Sequence, residues 1–143
     1  MNVLFFLTPK KDVACIPADD TLRQAMEKMK YHGYTAVPLL TQEGKYAGTI
    51  TEGDILRAIE ALCHWDIFQA ERVKICDVPR KRDHQAISIN TDMDDLVDVI
   101  ADQNFVPVID DQEKFIGIIT RKDVIQFYYD EHKKMEERFK KCG

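Results

Sequence analysis

Apolar residues recur at helical spacing in two well-separated stretches. Leu22, Ala25, Met26 and Met29 fall on one helical face, with Arg23, Glu27 and Lys28 outside it. Met93, Leu96, Val97 and Ile100 repeat that face. Asp20 or Thr21 is placed to cap the first helix, Gly33 marks its end, and Asp92 precedes the second. Each helix leads into two β-rich segments joined by a polar turn. In the first case these are Thr35–Leu40, Thr41–Lys45 and Tyr46–Thr51, and in the second Phe105–Ile109, Asp110–Lys114 and Phe115–Thr120. A further helix opens at Glu52, with Ile55, Leu56, Ile59 and Leu62 on one side, and another opens at Arg121. Short leading strands are predicted at Val13–Ile16 and Ala86–Ile89. The order is β-α-β-β-α, twice.

The two halves also match residue by residue. Residues 37–54 read VPLLTQEGKYAGTITEGD and residues 106–123 read VPVIDDQEKFIGIITRKD. Without a gap, the identities are Val37/Val106, Pro38/Pro107, Lys45/Lys114, Gly48/Gly117, Ile50/Ile119, Thr51/Thr120 and Asp54/Asp123. An internal repeat of this kind sets the architecture. The fold class is α/β (α+β): two units packed as an intramolecular pseudo-two-fold pair. The chain divides into residues 1–63, a first unit with an N-terminal segment; 64–84, a linker; and 85–143, a second unit with an extended C-terminal helix.

The linker holds the only tryptophan, Trp65, which is expected to pack between the halves. Pro79 argues against a long helix there, and a short one is expected over Ile67–Val78. The run Val3–Leu7 reads as a strand or helical turn packed on the body. The last helix carries Val124, Phe127, Tyr128, Met135, Phe139 and Cys142 as an apolar stripe, interrupted at Glu131 and His132, among charges of mixed sign. The last turn reads as solvated, and around Phe127–Met135 partner contact stands as the alternative to a solvated helix with one packed face.

Charge narrows the function. The formal net charge of −5 argues against a nucleic-acid or anionic-membrane binder, which needs a basic surface. No apolar run approaches the ~20 residues of a membrane span. Cys15, Cys63, Cys76 and Cys142 form no C-x-x-C pair and no zinc pattern; Cys15 and Cys63 read as small buried hydrophobes, and a cytoplasmic, reducing setting is expected. His32, His64, His84 and His132 form no metal or catalytic motif, and no serine sits in a nucleophile elbow, so an enzyme is not expected.

The V-P pair, the strand-turn-strand and the G-x-I-T-x-x-D segment opening a helix, all in order in both copies, resemble a pair of CBS domains, the unit named after cystathionine β-synthase. The resemblance covers roughly 13–62 and 85–129. It implies a tandem (Bateman) module whose clefts bind adenosine-containing ligands, AMP, ADP, ATP or S-adenosylmethionine. It also implies further pairing into homodimers and control of a partner enzyme, channel or transporter.

Elementary chemistry supports a ligand at the same segment. Free N–H groups at a helix N-terminus favour a phosphate, and the threonine hydroxyl donates to one or caps the helix. The aspartate one turn on accepts from hydroxyls such as a ribose diol. These positions are Thr51 and Asp54, and Thr120 and Asp123. Thr followed by an acidic residue at this spacing is equally a capping box. Arg121 and Lys122 add cations beside Thr120, whereas Glu52 adds an anion beside Thr51, so the Asp123 site is expected to be the tighter one. Arg80, Lys81 and Arg82 read first as solvated surface, with the same cleft as the alternative. The base needs an apolar slot. Val106, Pro107, Ile87 and Ser88 are assigned to it in the second unit, and Val37, Pro38 and Ile16, with Cys15, in the first; core packing is the competing role for the apolar ones. The expected function is regulatory binding of an adenine nucleotide. The alternatives are an interaction module without a nucleotide and a sensor of S-adenosylmethionine type.

Overall fold

The structure, a computed structural model, describes residues 1–142. Its strands are β1 (Thr8–Pro9), β2 (Ile16–Pro17), β3 (Ala36–Leu40), β4 (Tyr46–Thr51), β5 (Ile87–Ser88), β6 (Phe105–Ile109) and β7 (Phe115–Thr120). Its α-helices are α1 (Leu22–His32), α2 (Glu52–Cys63), α3 (Met93–Asp102) and α4 (Arg121–Cys142). In each unit the leading strand runs parallel to the next, which pairs antiparallel with the third. Both antiparallel pairs carry an irregularity at the same place, beside Leu39/Leu40 and beside Val108/Ile109. The repeat therefore extends to the detail of the ladder.

Local chemistry explains the helix ends. Thr21 accepts from the backbone of Gln24, whose side chain reaches back to Thr21, closing a capping box on α1. Gly33 ends α1 with φ 71°, a left-handed conformation that glycine adopts without strain. Two cores result. One gathers Leu22, Met29, Val37, Leu39 and Ile50, and the other Leu96, Ile100, Val106, Val108 and Ile119.

The segments before each unit cross to the other one. Val3 and Phe6, in a 3-10 turn, are buried in the second core, and β1 pairs with β7. The N-terminal segment, grouped by sequence with the first unit, thus packs on the second. Conversely, Ala70, Ile75 and Val78 of the linker fill the first core. The helix expected over Ile67–Val78 is replaced by two 3-10 turns, Gln69–Arg72 and Ile75–Asp77. The backbone between them pairs with the chain ahead of α1 instead, Leu22 N–H donating to Val73 and Ile75 N–H to Asp20. Trp65 does not pack between the halves. Two successive left-handed residues, His64 and Trp65, end α2 and leave the indole exposed. The leading strands are shorter than expected, two residues each. Cys63 is fully buried, as expected, but Cys15 only partly. Among the described residues no helix is long and apolar enough to cross a membrane.

Candidate functional site

Strand β4 delivers Thr51 to the start of α2, where it is the N-cap. Its hydroxyl accepts from Asp54 N–H (3.2 Å), and Thr51 N–H donates to Asp54 Oδ2 (3.2 Å). The capping role is therefore real. It does not exhaust the carboxylate. Asp54 is only 2% exposed, and its Oδ1 accepts from Arg57 Nη2 (2.6 Å) and from the backbone N–H of Lys81 (3.2 Å). A buried carboxylate is costly unless its oxygens have such partners.

Lys81 belongs to a strap, residues 80–84, laid from the linker across the first unit. Arg80 lies over Gly48, where an added Cβ would sit 2.9 Å from the guanidinium carbon. Arg80 Nε donates to Asp83 Oδ2 (3.0 Å), while Asp83 Oδ1 accepts from Thr49 N–H (3.0 Å). Tyr46 donates its single hydroxyl proton to the carbonyl of His84 (3.0 Å), which leaves Thr49 as the donor in the 2.6 Å contact to Tyr46. Burial, the largest influence, pushes the Tyr46 phenol up to about 12. The His84 ring stacks on Phe105 of the second unit, centroids 4.7 Å apart. Burial holds its pKa below the usual histidine value, against the pull of Asp83 and Asp54.

Two neighbouring cavities open here. One, of about 290 Å³, is lined by residues including Thr51, Asp54, Arg57, Lys81, Arg82 and His84. The other, of about 600 Å³, reaches Ala86, Ile87 and Ser88. Arg82, Asp83, Asp102 and Gln103 line both, so the two cavities adjoin, the smaller one lying between the units. The cavity at Asp54 adjoins the one at Ile87 and Ser88 of the second unit, while Cys15 and Ile16, expected beside Asp54, line a separate cavity of about 370 Å³ with Pro17, Asp19 and Leu40. The physical reason is the pseudo-two-fold: it turns the helix start of one unit toward the leading strand of the other.

The second copy is built differently. Asp123 N–H donates to Thr120 Oγ1 (3.2 Å), but Asp123 is exposed. Arg121, expected to grip phosphate, spends its donors on the C-terminus of α3. Nε donates to the Ile100 carbonyl (2.9 Å), Nη2 to that of Ala101 (3.2 Å) and Nη1 to Asn104 Oδ1 (3.2 Å). Helix carbonyls left without internal partners attract a cation. That takes Arg121 out of the ranking of the Asp123 site above the Asp54 site and leaves Lys122 as the cation beside Thr120.

The apolar candidates Ile16, Val37, Pro38, Ile87, Val106 and Pro107 are all buried strand residues, the core role that competes with ligand contact. Ser88 is partly buried; its N–H donates to Thr91 and its hydroxyl accepts from Asn90 N–H. Sequence reasoning missed Arg57, Asp83, His84 and Gln103. Arg57 stands one helical turn beyond Asp54, a spacing at which an ion pair is legible. The others depend on where the linker crosses.

Comparison with known proteins fixes the class. The CBS domain family model matches residues 6–61 and 75–130, and the chain belongs to that family as a tandem pair. The chain is similar to cyclic di-AMP receptor B of Bacillus subtilis (strain 168), 27% identical over 126 residues, covering 85% of this chain and 82% of that protein. It superposes on the crystal structure of CbpB in complex with c-di-AMP with TM-score 0.84 and 27% identity, covering 96% of this chain and 91% of that one. Inosine-5'-monophosphate dehydrogenase of Methanocaldococcus jannaschii is 27% identical over 118 residues. This covers 81% of the chain but only 22% of the dehydrogenase, so the chain spans about a fifth of that enzyme.

Proposed function

We propose that this chain is a regulatory CBS pair, not an enzyme, that binds cyclic di-AMP in the cleft joining Asp54 to Ile87 and Ser88. It works as a homodimer and passes its state of occupancy to a partner protein. The mononucleotides AMP, ADP and ATP, favoured on sequence, become the competitors in this reading, because the receptor and the CbpB complex above are named for the cyclic dinucleotide.

The observation that carries the reading is the set of partners that Asp54 already holds. An ionised carboxylate offers roughly four acceptor positions. Three are taken by Thr51 N–H, Arg57 and Lys81 N–H. The remaining one suits a single hydroxyl. A mononucleotide offers a 2′,3′-diol, whereas a 3′,5′-linked cyclic dinucleotide has its 3′-oxygen esterified and offers only the 2′-hydroxyl on each ribose. Lys81 beside it supplies positive charge for a phosphodiester, while Arg57 and Arg82 face Asp54 and Asp102. The adjoining cavity, lined by Asp95 and Asp98 besides Ile87 and Ser88, gives length for a second nucleoside.

Isothermal titration calorimetry with cyclic di-AMP, AMP, ADP and ATP tests this. The expected result is saturable binding of cyclic di-AMP, at least tenfold tighter than any mononucleotide. Tighter binding of a mononucleotide, or no heat from cyclic di-AMP, overturns the ligand assignment.

A further inference from the structure

We infer that α4 docks on the α4 of a second copy of this chain as a short antiparallel coiled coil. The inference deepens the homodimer reading above and rests on it. Only the first turns of α4 are held by the fold: Val124 is buried, and Phe127 packs edge-on to Phe5 and Phe6, at 5.5 and 5.2 Å. From Tyr128 to Cys142 every residue is exposed. A helix of that length without packing is marginal in water, since isolated helices below ~12–15 residues barely persist. The segment is thus short of a partner.

Its sequence says which kind. Ile125, Tyr128, His132, Met135, Phe139 and Cys142 alternate three and four residues apart, the heptad seam of a two-helix coil. The large apolar members are open, Met135 at 66% and Phe139 at 85%. The positions flanking the seam choose the orientation. In a parallel pair Glu131 meets Glu136 of the other copy, twice, a repulsive arrangement. In an antiparallel pair Glu131 meets Arg138, twice, an attractive arrangement, and the neutral Tyr129 meets Glu136. The same register stacks Ile125 on Cys142, Tyr128 on Phe139 and His132 on Met135 of the second copy. His132 at the centre is the polar seam residue that fixes register. Within its own helix it is paired with Glu136 Oε1 at 3.1 Å, and Glu131 with Lys134 at 3.5 Å, contacts that an exposed helix can exchange.

Sedimentation equilibrium of the full chain and its variants tests the proposal, with circular dichroism to confirm folding. Wild type is expected to dimerise, and Phe139→Asp to lose the dimer. Glu131→Arg is expected to raise the dimer dissociation constant about tenfold, because two attractive pairs become repulsive. The double change Glu131→Arg with Arg138→Glu is expected to restore it. Under mild oxidation in a Cys76→Ser background, Ile125→Cys is expected to cross-link to Cys142 of the other copy. The two Cys142 residues, about 25 Å apart along the coil, are not expected to link to each other. A monomeric wild type overturns the homodimer reading and this interface together. A dimer that survives Phe139→Asp overturns this interface alone. Tighter association of Glu131→Arg, or a Cys142–Cys142 cross-link, overturns the antiparallel orientation.

Discussion

Tyr46 stacks on Phe115, ring centroids 6.4 Å apart and planes 24° from parallel, and the two residues occupy the same position of the two repeats. A residue that touches its own counterpart lies on the axis relating them. Lys45 and Lys114, one position earlier, also face each other in an antiparallel bridge, and Phe115 N–H donates to Gly44 (2.9 Å). The pseudo-two-fold thus passes between these turns. It carries the start of α2 toward β5, which creates the shared cleft.

Gly48 and Gly117 show why the repeat keeps a glycine at this position. Each is covered by the segment that crosses from the other side, Arg80 over Gly48 and Leu7–Pro9 over Gly117. At Gly117 an added Cβ would collide with the backbone carbonyl of Thr8, at φ 154°. At Gly48 it would meet only the movable end of Arg80, at φ 122°. Gly117→Ala is therefore expected to cost about 2–4 kcal/mol and to release the N-terminal segment, and Gly48→Ala about 1–2 kcal/mol. Urea unfolding of both variants measures the difference, and equal losses would contradict the crossing as its cause.

Arg121 is a structural cap in this account. Arg121→Ala is expected to lower stability by about 1–3 kcal/mol, since charge-assisted bonds to α3 carbonyls are lost. Its affinity for nucleotide is expected to stay within twofold of wild type. A stable variant with weakened binding would return Arg121 to the ligand.

His84 gives the fold a mild acid sensitivity. Its pKa is lowered in the folded state by burial, so folding favours the neutral ring. The associated stability is complete above the unfolded pKa, ~6.5, and is lost as pH falls from there through the lower folded value. His84→Phe keeps a ring to stack on Phe105 and removes the proton. Its stability is expected to vary less than that of wild type between pH 7 and 5. Parallel curves would show that the imidazole is not the group responsible.

Much of this was legible in the sequence because each feature was local. The helix faces, the Thr21 and Thr51 caps, the Gly33 terminus and the strand-turn-strand units depend on residues a few positions apart. The repeat itself announced two units. What sequence could not place was the route of the linking segments. Nothing near Arg80 or Lys81 says that they lie on Gly48 and Asp54, and nothing near Val3 or Phe6 says that they enter the second core. That the cavity at Asp54 adjoins the leading strand of the other unit is hidden for the same reason. Each unit was read as self-contained, while the pseudo-two-fold builds the cleft from both. Arg121 misled because a cation beside a phosphate motif and a cation capping a helix read alike until α3 is in place.

The site is tested most directly by titrating cyclic di-AMP into Asp54→Ala and Asp123→Ala by calorimetry, beside wild type. Asp54→Ala is expected to weaken binding at least tenfold and Asp123→Ala to leave it within about twofold. Binding abolished in Asp123→Ala and retained in Asp54→Ala would contradict the cleft between the units as the nucleotide site.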